Sequence, residues 1–266
     1  MNAGVSTACL YPMPVEESLY QLAVNGVSCV EIFVNTHSEL ERKFACNLAD
    51  MLRRFDMRCA SVHPFTCEIE PLMFFSEYER RMNDILEYYR LFFSFMNTVG
   101  ADIFVFHGAK GAVPKELYCE RYSKLYNLGQ EYGIQVAVEN VSRCRSSSSA
   151  FIRDISKMLG NNFAFVLDTK QAIRSGETPF SFIEAAGKSL KHIHISDSGE
   201  MGDCLPIGKG SFRFRQFFDK VNSVNPNTNI ILELYRNNFR GISDLISGYN
   251  ILTNMTKQYN NQGGAA

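Results

Sequence analysis

Eight short runs of β-branched and aromatic residues recur along the chain, and a segment of helical periodicity follows each of them. Runs of this composition favour strands, and apolar residues spaced three or four positions apart favour amphipathic helices. The predicted strands are residues 5–9, 29–33, 59–63, 103–107, 136–139, 163–168, 192–196 and 230–234. The predicted helices are residues 15–24, 38–54, 77–98, 115–132, 150–159, 180–186, 214–224 and 242–253.

This alternation predicts an α/β fold, specifically a (β/α)8 TIM barrel. Strands joined by crossover helices run parallel, and eight such units can close into a barrel without an exposed sheet edge. An open doubly wound sheet is the alternative. Its dinucleotide-binding form carries a Gly-x-Gly-x-x-Gly turn after the first strand, whereas residues 9–14 contain no glycine.

Glycine and serine positions agree with these boundaries. Gly26, Gly100 and Gly133 stand just before predicted strands, where a glycine that ends a helix is expected. Ser38 and Glu41 have the spacing of a capping box at the start of the second helix.

The chain length indicates one domain. Barrels of this kind often use about 250 residues, and no Pro/Gly-rich linker divides the 266 residues. We predict a single TIM-barrel domain over residues 1–258. Residues 259–266 are predicted to be a flexible tail because they contain little that a core could bury.

Charge and hydropathy indicate a small-molecule partner. The 27 basic and 28 acidic residues nearly cancel, so no overall field would hold the chain on nucleic acid or on an anionic membrane. No secretion signal stands at the N-terminus, and polar residues interrupt the apolar segment 91–106. We therefore expect a cytoplasmic protein without a nucleic-acid or membrane partner. The oligomeric state stays open, with a homo-oligomer among the options.

Polar side chains end six of the predicted strands. In a barrel of this type, the carboxyl ends of the strands and the loops that follow form the active face. The six residues are His63, His107, Glu139, Asp168, His194 and Glu233.

The last four of these residues end consecutive strands and indicate a metal site. Taken singly, an acid at a strand end often caps the next helix, and a lone histidine often only packs. Together, however, three buried carboxylates would be costly without a partner cation. Oxygen and imidazole donors suit Mn²⁺, Mg²⁺, Co²⁺ or Zn²⁺.

Five motifs resemble the xylose isomerase-like barrel superfamily and, within it, the group of sugar phosphate isomerases and epimerases. They are Val138-Glu139-Asn140, Leu167-Asp168-Thr169-Lys170-Gln171, His192-Ile193-His194-Ile195-Ser196-Asp197, Leu205-Pro206-Ile207-Gly208-Lys209-Gly210 and Leu232-Glu233-Leu234. The resemblance implies one divalent ion, Mn²⁺ foremost, held by Glu139, Asp168, His194 and Glu233. It further implies that Glu139 and Glu233 exchange protons with a sugar, sugar phosphate or keto-polyol through an enediolate. The implied activity is that of an isomerase or epimerase.

Two positions depart from the family pattern. Many members have histidine three residues after the metal-binding aspartate, where this chain has Gln171, which binds hydroxyls but does not titrate near neutrality. Keto-hexose epimerases tend to carry arginine about six residues after the metal histidine, where this chain has Glu200. The second departure argues against free ketohexoses as substrates.

Three alternatives remain. His63 and His107 match two metal positions of the endonuclease-four type DNA-repair enzymes, but Gln171 and residues 202–206 lack the ligands for a third metal ion. A lyase or dehydratase could use the same enolate. A barrel that binds metal and sugar without turnover is the third alternative.

Other residues are candidates for substrate binding. His63 and His107 would donate hydrogen bonds from the barrel mouth, and Phe33 would line a sugar pocket. Lys209 lies between Gly208 and Gly210, where barrels often bind phosphate, although a tight turn explains this pattern equally well. His192 is expected to pack one layer below His194.

Overall fold

The computed structural model describes the backbone of residues 1–263 and the side chains of residues 1–261. The strands are β1 (Asn2–Ser6), β2 (Cys29–Val34), β3 (Arg58–Pro64), β4 (Ile103–Phe106), β5 (Gln135–Glu139), β6 (Phe165–Asp168), β7 (Leu190–Ile195), β8 (Asp197–Gly199), β9 (Gly202–Leu205) and β10 (Asn229–Leu232). The helices are α1 (Val15–Val24), α2 (Arg42–Arg54), α3 (Ile69–Met73), α4 (Glu79–Val99), α5 (Lys115–Glu131), α6 (Ser149–Leu159), α7 (Thr169–Arg174), α8 (Pro179–Ala186), α9 (Phe214–Val224) and α10 (Ile242–Gly263).

Eight of these strands close into a parallel barrel in the order β1-β10-β7-β6-β5-β4-β3-β2. The predicted (β/α)8 fold is confirmed. Strands β8 and β9 form a separate antiparallel hairpin after β7. Because all barrel strands run parallel, the residues that end them meet at one face of the molecule.

Aromatic packing fixes helix α4 against the barrel. Phe104 of β4 lies edge-on to the rings of Tyr89, Phe92 and Phe93, with centroids 5.4–5.6 Å apart. All four residues are fully buried. Each buried aromatic ring removes apolar surface from water and stabilises the fold by about 1.5–3 kcal/mol.

The first strand lies three residues earlier than the sequence predicts. Residues Thr7–Leu10 form a 3-10 helix, and the Ser6 hydroxyl caps it by accepting a hydrogen bond from the Ala8 amide. Cys9 and Leu10 are buried. The run of residues 5–9 looks like a strand in the sequence because Cys9 is buried, although it is buried in this 3-10 turn.

The predicted capping box is also wrong. Ser38 lies inside a 3-10 helix, His37–Leu40, and α2 begins at Arg42 without a side-chain cap. The glycine predictions are confirmed, because Gly26, Gly100 and Gly133 have φ values of 81°, 75° and 71°. Only glycine adopts this left-handed backbone without strain.

Helix α10 continues to Gly263, so part of the segment predicted to be a tail is helical. Tyr259 donates a hydrogen bond to Asp219 Oδ1 at 2.7 Å, and Asn260 donates one to the Met1 carbonyl at 2.9 Å. Contacts with α9 and with the N-terminus thus accompany the extension of the helix beyond the predicted boundary. The rest of the predicted tail, residues 264–266, lies outside the described residues.

Within the described residues, no helix has the length and apolar character needed to cross a membrane.

Candidate metal centre

Four side chains converge at the carboxyl end of the barrel. Glu139 and Asp168 end β5 and β6, His194 lies near the end of β7, and Glu233 follows β10. One ligand atom from each lies within 4.8 Å of the others. Parallel pairing places Asp168 directly beside His194, and the Glu233 amide donates to the Ile195 carbonyl. The barrel therefore brings together the four residues that the sequence pattern singled out.

The imidazole of His194 faces all three carboxylates. Its Nδ1 atom lies 2.9 Å from Glu139 Oε1, 3.4 Å from Glu233 Oε2 and 3.9 Å from Asp168 Oδ2. Glu139, Asp168 and His194 are buried, whereas the Glu233 side chain is 13% exposed. Three oxygen donors and one nitrogen donor around a buried point form a set that fits a divalent cation.

Backbone and amide contacts orient Asp168. Its Oδ1 atom accepts a hydrogen bond from the Gln171 amide at 3.0 Å and so caps α7, which leaves Oδ2 to face the cluster. Asn140 accepts from the Asp168 amide at 2.6 Å and donates to the Asp168 carbonyl at 3.0 Å. Sequence reasoning assigned no role to Asn140, although its position next to Glu139 was noted within a motif.

Glu31 lies below the cluster and contacts His194 from the other side. This carboxylate, on β2, is fully buried. Its Oε2 atom lies 3.0 Å from His194 Nε2, 3.1 Å from His192 Nε2 and 2.8 Å from the Ser61 hydroxyl. Carboxylates placed this way fix the tautomer of a metal-binding histidine. Sequence reasoning missed Glu31, although the one acid within an apolar strand was a usable signal. His192 is buried as expected, but it also bonds to Glu31.

His63 and His107 face the second oxygen of Glu139. Their Nε2 atoms lie 3.9 Å and 3.7 Å from Glu139 Oε2. The ring of Phe33 stacks on His63 with a centroid distance of 4.8 Å. Three of the predicted substrate-binding residues therefore line one side of the cluster.

Glu70 positions His107. This fully buried carboxylate of α3 accepts hydrogen bonds from the His107 amide at 3.0 Å, the Gly108 amide at 2.8 Å and the Thr66 hydroxyl at 3.0 Å. It also lies 3.2 Å from His107 Nδ1. Sequence reasoning missed Glu70 because the short helix α3 lies between the predicted strand 59–63 and the predicted helix 77–98, where no element was predicted.

Gln171 and Lys209, the other two predicted substrate-binding residues, lie in α7 and in an exposed turn. The Gln171 side chain accepts a hydrogen bond from the Ser142 amide at 3.0 Å, so it braces the loop after β5. Lys209 is exposed, and the amides of Gly208 and Gly210 donate to Asp197 Oδ2 at 2.8 Å and 2.9 Å. These amides are therefore already paired within the protein, as in a tight turn.

Lys170 was not predicted as a metal ligand, yet it lies among the four residues of the candidate site. Its ammonium group donates hydrogen bonds to Asp168 Oδ2 and, at 2.5 Å, to Glu233 Oε2. Burial raises the pKa of Asp168 to about 7, although the positive charge of Lys170 acts to lower it. Burial likewise disfavours the charge of Glu233, but Lys170 and His194 outweigh it and lower the pKa of that carboxyl.

The histidines differ in their electrostatic surroundings. Burial lowers the pKa of His63, and the nearby His107 acts in the same direction. Burial also opposes the charge of His107, but Glu70 outweighs it and raises the pKa of that imidazole. Glu31 and Glu233 similarly raise the pKa of His194 well above its usual range despite burial. Burial opposes ionisation of Glu139, but the hydrogen bond and charge of His194 lower the pKa of this carboxyl.

The family model of xylose isomerase-like TIM barrels matches residues 19–252. The chain belongs to this family. The resemblance inferred from the five motifs is thereby confirmed.

Solved structures similar to this xylose isomerase-like barrel include three of nearly equal length. A D-tagatose 3-epimerase-like protein is 20% identical with a TM-score of 0.79, covering 98% of this chain and 99% of its own. An L-ribulose 3-epimerase is 14% identical with a TM-score of 0.79, and the match covers 100% of this chain and 99% of that protein. The IolI protein with a bound zinc atom is 17% identical with a TM-score of 0.77, covering 97% and 99%. At these identities the likeness establishes the fold. No curated protein matches the chain in sequence.

Proposed function

We propose that this xylose isomerase-like barrel is a carbohydrate isomerase or epimerase that depends on a divalent metal ion and transfers a proton through an enediolate. One observation carries the proposal: Glu139 and Glu233, the two candidate proton carriers, converge with Asp168 and His194 on one buried point. Two structural neighbours are named as a 3-epimerase and an epimerase-like protein, and a third is described with bound zinc, which agrees with this reading.

The metal ion would be held by Glu139, Asp168, His194 and Glu233. Their mixed oxygen and nitrogen donors suit Mn²⁺, the ion that the family resemblance implies foremost, and also Mg²⁺, Co²⁺ and Zn²⁺. When bound, the ion would supply Lewis-acid stabilisation of the negative charge that develops on the substrate oxygens.

Glu139 and Glu233 would move the proton. Both carboxyls have lowered pKa values, through His194 for Glu139 and through Lys170 for Glu233, in each case against the effect of burial. They are therefore ionised at neutral pH and able to accept a proton from the carbon beside a carbonyl. One glutamate would take the proton, and the other would return a proton to the opposite face.

The neighbouring aromatic and histidine side chains would bind the substrate. His63, with its lowered pKa, is neutral and offers both a donor and an acceptor to sugar hydroxyls. His107, with its pKa raised by Glu70 against burial, offers a donor. Phe33 would contact the apolar face of a sugar ring, and Gln171 would shape the loop beside it. Lys209 would add only a positive charge at the rim, because its turn has paired amides.

Proton exchange with solvent tests this proposal. The protein is loaded with Mn²⁺ and incubated in deuterated water with a panel of ketoses, ketose phosphates and keto-inositols. We expect deuterium at the carbon beside the carbonyl of at least one compound. Incorporation into none of them, with the metal ion shown to be bound, would contradict the enzymatic function. Ligand binding without exchange would instead support a binding barrel.

Glutamate variants test the assigned roles. Glu139→Gln and Glu233→Gln each keep an oxygen donor for the metal but cannot accept a proton, so we expect exchange to fall by about 10²–10⁴-fold. Glu120→Gln, an exposed position on α5, serves as the matched control and should retain full exchange. Unchanged exchange in both active-site variants would overturn the assignment.

A further inference from the structure

Lys170 is the one buried lysine among the described residues, with 3% of its surface exposed. It lies in the first turn of α7, two residues after Asp168. Helical side chains lean toward the helix N-terminus, and this geometry directs the lysine toward the end of β6. Its ammonium group bridges Asp168 and Glu233.

The ammonium group bonds to the same oxygens that face the centre of the cluster. Asp168 Oδ2 and Glu233 Oε2 lie 3.9 Å and 3.4 Å from His194 Nδ1, on the same side of the imidazole as Glu139 Oε1 at 2.9 Å. The other Asp168 oxygen is taken by the cap of α7. A metal ion on these four ligands would therefore bind to two oxygens that already accept hydrogen bonds from the Lys170 ammonium.

The net charge of the site is consistent with Lys170 and a metal ion binding to the same carboxylates. With His194 neutral, as a metal ligand must be, three carboxylates and one ammonium carry a net charge of −2. A divalent ion neutralises that charge if Lys170 stays close by. The lysine nitrogen already lies 5.7 Å from the ring of Tyr235, which is 45% exposed, so an ammonium that leaves the two oxygens keeps a cation–π contact.

We propose that Lys170 is a built-in counter-cation that sets the metal affinity of the site. It holds Asp168 and Glu233 in place when no metal ion is bound, and it leaves both oxygens when the ion binds. Repulsion between the ammonium and the ion weakens metal binding and makes it reversible. This inference rests on the proposed function, because it requires metal binding at these four residues.

Metal titration of lysine variants tests the inference. Metal-stripped wild type, Lys170→Met and the control Lys43→Met, an exposed position on α2, are titrated with Mn²⁺ by calorimetry, and their metal-free melting temperatures are measured. We expect Lys170→Met to bind Mn²⁺ at least about tenfold more tightly than wild type, because a repelling charge is gone. Its metal-free form should melt at a lower temperature, since three carboxylates lose their counter-cation. The control should match wild type in both.

The outcomes separate this inference from the function that it extends. Equal or weaker Mn²⁺ binding by Lys170→Met, with normal binding by wild type, would overturn the role of Lys170 alone. Absence of Mn²⁺, Zn²⁺ and Co²⁺ binding in wild type and variant alike would overturn the metal-dependent function as well. If Lys170→Met does not fold, the ¹⁵N signal of the buried ammonium in wild type replaces it: a shift on addition of Zn²⁺ supports displacement, and an unchanged signal contradicts it.

Discussion

Glu31 Oε2 lies 3.0 Å from His194 Nε2, on the side of the imidazole opposite the candidate metal ligands. The carboxylate can only accept a hydrogen bond from this nitrogen, so the neutral ring keeps its proton on Nε2. The lone pair of Nδ1 is then free to bind a cation. Buried below the site, Glu31 would thus decide which nitrogen of His194 binds metal.

Replacing Glu31 should therefore weaken metal binding. In Glu31→Gln, the amide can donate to His194 Nε2 and move the ring proton to Nδ1, where it blocks the ligand position. We expect the metal affinity to fall about 10- to 100-fold. Calorimetric titration with Mn²⁺ measures the change, and Glu120→Gln is the control. An unchanged affinity would show that Glu31 does not govern the tautomer.

Replacing Glu70 should destabilise the loop that carries His107. Glu70→Gln leaves one acceptor oxygen for the amides of His107 and Gly108 and for the Thr66 hydroxyl. We expect a loss of about 2–4 kcal/mol in the free energy of unfolding, because a buried network is left partly unpaired.

Denaturant unfolding at neutral pH measures this loss. The control is Glu68→Gln, whose side chain is 63% exposed and should cost less than about 1 kcal/mol. Equal costs for the two variants would argue against the network.

Replacing Asp197 should loosen the turn around Lys209. The Asp197 carboxylate accepts hydrogen bonds from the amides of Ser198, Gly208, Gly210 and Phe212 at 2.8–3.1 Å. In Asp197→Ala these amides lose their acceptor, and we expect a cost of about 2–3 kcal/mol.

Amide hydrogen exchange locates the effect. The Gly208 and Gly210 amides should exchange faster in Asp197→Ala, whereas the exposed control Glu200→Gln should exchange like wild type. Protection that survives in Asp197→Ala would indicate another acceptor.

The ion pair between Arg174 and Asp203 should make stability depend on acid pH. Arg174 donates two hydrogen bonds to the carboxylate at 2.6 Å and 2.9 Å, and hydrogen bonding by Arg174 is the chief cause of the lowered pKa of Asp203. A lowered folded-state pKa means that the contribution is present above the unfolded value of about 3.9 and is lost as pH falls through the folded value.

The expected contribution is small because the pair is partly exposed. We expect about 0.5–1 kcal/mol at pH 7, which Asp203→Asn removes. Unfolding curves of both proteins from pH 7 to pH 2 measure it, and the two should converge as the pH falls through the lowered folded-state pKa of Asp203. A difference between them that stays constant with pH would contradict an electrostatic origin.

The sequence by itself determined the barrel and the four strand-end residues of the candidate metal centre. Strand and helix periodicities are local properties, and parallel strands must bring their carboxyl ends to one face, so Glu139, Asp168, His194 and Glu233 were recognisable without coordinates. Local patterns were less reliable at element ends, where Ser6 caps a 3-10 helix and the contacts of Tyr259 extend α10.

Only the tertiary structure decided which side chains surround that candidate centre. Glu31 and His194 stand 163 positions apart in sequence, and Lys170 and Glu233 stand 63 apart. Hydrogen bonds and charge contacts act over a few ångströms in space, and no local period reports them. The partners of buried charges therefore became visible only when the barrel closed and placed distant strands side by side.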